Sequence, residues 1–299
     1  MAKVGSHKCG LGVCVTLVLF STGLLGLHAQ QPSFPGARYS RGLDVSPVFN
    51  GWERNADGTF SMWFGYYNRN SEEALDVPIG PENTFDLGDG DQGQPTHFYP
   101  GARWWVFKVV VPKDWPTDKR LVWTLTNRGR TNLSKAWLEP EWEVDKLLIS
   151  ADAASDPFTG SLGRPIADAI IAGNTAPVIT GSSSQTIALP ATAKLTVTVT
   201  DDGLPKPRPA ERGSDGEVKG GVQGVRVRWI LYRGPGQVQF DPGLSSFVYG
   251  KPLTSQTKVS FMAPGKYRIR AIASDGALFS TFDVDVKVNS GTSTAVKSR

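Results

Sequence analysis

From Leu195 to Thr200 apolar residues alternate with threonine, so that Leu195, Val197 and Val199 fall on one face of an extended chain and Thr196, Thr198 and Thr200 on the other. This is the pattern of a half-buried strand, and it runs into the turn Asp201-Asp202-Gly203-Leu204-Pro205. The same period of two recurs upstream. Val48–Glu53 and Thr59–Asn68 flank Asn55-Ala56-Asp57-Gly58, which predicts a hairpin with Gly58 at positive φ. In its second strand Phe60, Met62, Phe64 and Tyr66 alternate with Ser61, Trp63, Gly65 and Tyr67, so aromatic rings stand on both faces. Gly80–Gly101 reads as loop, Trp104–Val111 as a strand that Pro112 ends, and Leu121–Asn127 with Thr131–Leu138 as a hairpin around Arg128-Gly129-Arg130. Trp142–Ile149 reads as a last strand or a short helix.

The chain therefore divides into a tryptophan-rich sandwich over 45–149, a small-residue linker over 150–173 and a second sandwich over 174–289. Strands are predicted in the second near Ser184–Leu189, Lys194–Asp201, Val225–Arg233, Val238–Phe240, Thr257–Met262, Lys266–Ser274 and Ala277–Val288. A long Pro- and Gly-bearing loop, Asp202–Gly224, separates the second of these from the third, and 290–299 reads as a disordered polar tail. Ahead of the sandwiches, residues 1–29 combine Lys3 and Lys8 with an apolar run from Leu11 to Leu27 and a cleavage site after Ala29. That is a signal peptide, followed by a leader over 30–44. Leu27 is large for such a site, which leaves a retained anchor as the alternative.

The motifs NTAPVIT from Asn174, TVTDDGLP ending at Pro205, RWILYRGPGQVQF from Arg228, KVSFMAPGKYRIRAIASDG from Lys258 and the closing FDVDVKV resemble a divergent PKD or Ig-like domain over about 174–289. The resemblance implies a β-sandwich with Trp229 as core tryptophan on the third strand, and a spacer or interaction role in exported proteins. Trp229-Ile230-Leu231-Tyr232 stands where the family has Trp-Asp-Phe-Gly-Asp-Gly. The front half is similar to the front of secreted bacterial proteins with this two-part layout, which implies no activity. The expected fold is all-β: two Ig-like antiparallel β-sandwich domains in tandem after a signal peptide.

Composition narrows the chemistry. Both cysteines, Cys9 and Cys14, and two of the three histidines, His7 and His28, lie in the signal segment, so a mature chain has no disulfide and only His97 for acid–base work. No Gly-x-Ser-x-Gly elbow, Rossmann fingerprint or phosphate loop accompanies it. The net charge of +4 is too small to point to nucleic acid, and no membrane span is expected once the signal is removed. Its distribution is uneven: residues 30–172 carry 14 Lys and Arg against 19 Asp and Glu, and residues 173–299 carry 16 against 9. Attraction between the two halves, within or between chains, follows as an expectation, and with it self-association.

Eight of nine tryptophans lie between Trp52 and Trp142, more than one small core needs. Trp104, Trp115 and Trp137, which oppose an inward set or border turns, are the candidate ligand-binding rings. Asp86, Asp89 and Asp91 on a glycine-rich loop are candidate calcium ligands, with Asp201, Asp202 and Asp275 a second set at turns where calcium occurs in Ig-like relatives. No other cofactor is indicated. Glu139, Glu141, Glu143 and Asp145 read as a charged edge. The expected protein is non-enzymatic and exported, periplasmic or extracellular, a structural, adhesion or interaction module whose partner is a protein or glycan at the cell envelope. Carbohydrate binding through the front tryptophans is the alternative, and an extracellular hydrolase a third.

Overall fold

A computed structural model describes residues 39–153, 156–159, 173–182, 184–207, 209, 211–212, 218–219 and 223–291. The signal segment, most of the leader, much of the linker and the tail from 292 lie outside the described residues.

The front half runs through β1 (Val45–Arg54), β2 (Phe60–Asn68), β3 (Leu75–Asp76), β4 (Asn83–Phe85), β5 (His97–Phe98), β6 (Gly101–Val111), β7 (Leu121–Asn127) and β8 (Arg130–Ala136). The β1-β2-β6 and β4-β7-β8 sheets face each other, with β3 and β5 paired beside them. Alternation places the core: Phe64 and Phe107 stack at 5.5 Å from one sheet, Phe85 and Trp123 at 5.7 Å from the other, and Phe64 meets Trp123 edge-on at 6.0 Å. The predicted first hairpin is present, with Gly58 at φ 86°. The stretch 80–101 holds two very short strands where loop was expected, because segments of two or three residues carry no readable period. Buried amides organise it instead. Asn83 Nδ2 donates to the carbonyls of Val77 and Pro95, and Gln94, with no exposed surface, donates to that of Gly90. Trp142–Ile149 resolves into the end of a 3-10 turn, Pro140–Trp142, and the helix α1 (Lys146–Ala153).

The back half runs through β9 (Val178–Gly181), β10 (Ser184–Ala188), β11 (Ala193–Thr200), β12 (Glu211–Arg212), β13 (Val218–Lys219), β14 (Arg226–Arg233), β15 (Val238–Asp241), β16 (Leu253–Phe261), β17 (Gly265–Ser274) and β18 (Phe279–Asn289). Sheet β15-β16-β11-β9 packs on sheet β10-β18-β17-β14. All pairs are antiparallel except β10 with β18, and β9 adds an edge strand that was not predicted. The core tryptophan is where the resemblance put it: Trp229 is 3% exposed and its indole N–H donates to Ser255 Oγ at 3.1 Å. The fold is all-β, built of packed, almost wholly antiparallel sheets.

Candidate functional site

Strand β11 alternates cleanly between buried and exposed, but β14 and β17 are buried on both faces over Trp229–Tyr232 and Ile269–Ser274. A sheet buried on both sides must be covered by something. The cover is the front sandwich, which belongs with the back one to a single compact unit.

The seam is laced by groups that reach across it. Thr96 N–H donates to the Tyr232 carbonyl at 3.1 Å, Leu231 N–H to Tyr99 Oη at 2.9 Å, and Tyr232 Oη to the Gly93 carbonyl at 2.6 Å. Arg233 donates to the Gln94 carbonyl at 2.7 Å and pairs with both oxygens of Asp91 at 2.7 and 2.9 Å, which holds that carboxyl below its ordinary range. Arg270 lies 3.5 Å over the Tyr232 ring, pairs with Asp283 and donates to the Val106 carbonyl at 2.7 Å. Among the described residues, Arg233–Asp91 is the salt bridge that joins the two halves.

Beside these bonds the backbone is shaped to project side chains into the seam. The β2–β6 register shifts between Phe64 and Tyr66, and a Cβ on Gly65 would sit 2.2 Å from the Arg103 carbonyl. Only glycine allows that approach. The resulting bulge holds Trp105 at φ 56°, its N–H bonded to Asn50 Oδ1 at 3.0 Å. Residues 156–159, from the stretch expected as linker, fill the space opposite. The Phe158 ring lies 4.4 Å from the Arg103 guanidinium, 5.4 Å from that of Arg228, and edge-on to Tyr99 at 4.9 Å. Asp156 accepts the Phe158 N–H at 2.7 Å, and Ser274 Oγ donates to the Thr159 carbonyl. Between them is a cavity of about 40 Å³ whose walls include Tyr66, Arg103, Trp104, Trp105, Asp156 and Phe158. Burial raises the Asp156 carboxyl despite the two arginines, and pushes the Tyr99 hydroxyl up to about 12.

The candidate rings do not share a surface. Trp104 is half-buried on the seam cavity. Trp115 is not a platform: at 8% exposure it packs in the front core, its indole N–H donating to the Lys119 carbonyl at 3.3 Å and the Lys119 ammonium 4.1 Å over its ring. Trp137 is half-buried, stacked on Phe49 at 6.4 Å and covered by the Arg120 guanidinium at 4.0 Å. The ring that does reach solvent is Trp142, 42% exposed and stacked on Phe49 at 5.5 Å. Nothing in its local pattern separates it from its neighbours, because its exposure depends on the turn at Pro140.

The carboxylates of the glycine-rich loop do not converge either. Asp86 accepts the Val122 N–H, Asp89 that of Asp91, and Asp91 that of Gly93 besides its pair with Arg233. Among the described residues no three acidic, histidine or cysteine side chains could jointly hold a metal. In the back half Asp202 binds the N–H and hydroxyl of Thr175, and Asp201 the N–H of Gly203. Asp275 is 1% exposed and accepts from Ala277 N–H, Leu278 N–H and Asn174 Nδ2; burial pushes it up to about 7. The buried Asn174 Oδ1 has no hydrogen-bond partner, while its amide N–H faces Asp275, so the two side chains do not present converging oxygens to a cation. His97 faces Asp76 at 2.7 Å and the Tyr99 ring at 4.5 Å.

No protein-family model matches the chain, and no curated protein matches it. Among solved structures it is similar to the PKD domain from human KIAA0319, at 15% identity over 46% of this chain and 91% of that one, with a TM-score of 0.21. A protein of unknown function from Porphyromonas gingivalis W83 follows at 12% identity over 83% and 100%, TM-score 0.22, as do domains 4 and 5 of the S-layer protein SbsC at 12% over 83% and 98%, TM-score 0.23. At such values nothing of those proteins' activity carries over. Among the described residues no helix is long and apolar enough to cross a membrane.

Proposed function

We propose that this chain is an exported, non-enzymatic structural or interaction module in which sandwiches over 45–149 and 174–289 act as one rigid piece at or outside the cell envelope. The seam carries this reading. Side-chain bonds to backbone, among them Arg270 to the Val106 carbonyl, and a bidentate Arg233–Asp91 pair fix the angle between the sandwiches, which suits a spacer or a two-sided binding surface. Export is supported by the basic and apolar opening of the sequence. Cell fractionation with cross-linking is the test: the protein is expected in the envelope or the medium, attached to a protein or glycan partner. Cytosolic protein would overturn it, as would turnover of a glycoside, peptide or ester that His97→Ala abolishes.

Trp142 favours glycan as a second reading. An indole stacked on one side, open to solvent and flanked by the exposed Glu141 and Glu143 offers a ring face for a sugar and acceptors for its hydroxyls. Binding on a glycan array that Trp142→Ala removes supports it; an unchanged array sinks it.

A further inference from the structure

The seam concentrates more cationic charge than its carboxylates match. Arg270 is paired with Asp283 and Arg233 with Asp91, but Arg103 and Arg228 have only Asp156 between them and form no salt bridge with it. Two guanidinium groups, the buried Arg103 and the half-buried Arg228, thus face one carboxyl. The unpartnered polar atoms here have a single character. Arg103 Nε, Trp105 Nε1 and Arg228 Nε are all donors, all buried, and none has an acceptor. Arg103 is 9% and Trp105 1% exposed, and both line the cavity.

Its volume of about 40 Å³ exceeds the ~10–15 Å³ that a single water needs. Its walls also carry the Asp156 carboxyl, His97 and Arg270, and the remainder is largely aromatic and aliphatic, from Tyr66, Phe158 and Ile230. Donors without acceptors, a surplus positive charge and apolar walls describe the surroundings of a small, weakly hydrated anion. A water would satisfy the donors but not the charge. The strained Trp105 backbone, held by the Gly65 bulge, is the local device that sets the indole in the cavity wall.

We infer that the seam is a binding site for a small monovalent anion of the halide class, chloride above all, held by Arg103 and Trp105 with Arg228 behind them. The anion would act as a third component of the interface between sandwiches, stabilising the docked state. This goes beyond the interaction-module reading and does not depend on it, since export and partner capture are scored without reference to salt.

The experiment is thermal unfolding of the purified protein at fixed ionic strength, with gluconate replaced stepwise by chloride, bromide or fluoride. Chloride and bromide are expected to raise Tm saturably, by about 2–5 °C at concentrations well above the midpoint, and fluoride to have no such effect. Trp105→Phe, which keeps an aromatic ring of smaller size and removes the donor, and Arg103→Gln should each abolish the dependence. Asp156→Asn, nearly isosteric, should move the midpoint several-fold lower because it removes a competing negative charge; a merely structural role for Asp156 would not. Crystals grown in bromide should show anomalous density in the seam. Equal Tm in all salts overturns the proposal, as does a midpoint unmoved by Asp156→Asn. A halide effect that survives both Trp105→Phe and Arg103→Gln, or bromide density only elsewhere, marks an adventitious ion only and overturns it too.

Discussion

The two sheets of the back sandwich come from similar sequence and meet different surroundings. Sheet β15-β16-β11-β9 shows polar outer positions such as Thr198 and Thr200 to solvent, so its strands alternate. Sheet β10-β18-β17-β14 carries Ile230, Tyr232, Arg270 and Ile272 on its outer face, all buried by the front sandwich. A strand's sequence thus reports whether a second layer lies behind it, though not which layer.

Removing Arg270 should blur that difference most. Arg270→Ala strips a guanidinium 8% exposed from Asp283, Val106 and Tyr232 at once and leaves a partly buried carboxylate unpaired. A loss of about 3–5 kcal/mol is expected in urea unfolding, with the two sandwiches melting separately in calorimetry. Next comes a matched pair on the outer faces. Ile230→Ala should cost about 2–4 kcal/mol, and Thr198→Ala on the solvent-facing sheet less than about 0.5; similar costs would mean that the front sandwich does not cover β14 in solution.

Asp275, just beyond β17, gives an effect in pH. Its carboxyl is raised to about 7 in the folded chain against 3.8 unfolded, so the folded state holds more protons across that interval. Stability should therefore fall as pH rises from about 4 to about 7 and level off above. In chelator, Asp275→Asn should flatten this slope and raise Tm at pH 8 by several degrees, corresponding to about 2 kcal/mol, with little effect at pH 4. Smallest is the rim pair. Asp91→Asn should cost under about 1 kcal/mol and lose most of that effect at high salt, since the Asp91 side chain is 38% exposed; a larger, salt-independent loss would place the pair deeper in the seam.

Much of the strand layout was legible because period two is local. Leu195–Thr200, Phe60–Asn68 and Lys266–Ser274 lie within a residue or two of the predicted bounds. Short strands such as β4 and β5 were not, since two or three residues show no period and buried Asn83 and Gln94 look like ordinary loop amides. The site residues fared worse. Trp115 and Trp142 both border turns, and only the packing decides that one enters the core and the other faces water. Asp91 belonged to a plausible carboxylate triplet until Arg233, 142 positions away, claimed it.

Alternation and turn residues determined the all-β class, because those signals act between neighbours in the chain. The docking of one sandwich on the other, the conversion of residues 156–159 from expected linker to seam filling, and the gathering of Arg103, Trp105 and Asp156 around one cavity, with Arg228 behind Phe158, were decided by tertiary structure alone. Each joins side chains far apart in sequence through charge, ring contact and excluded water, and no local pattern of residues encodes such a meeting.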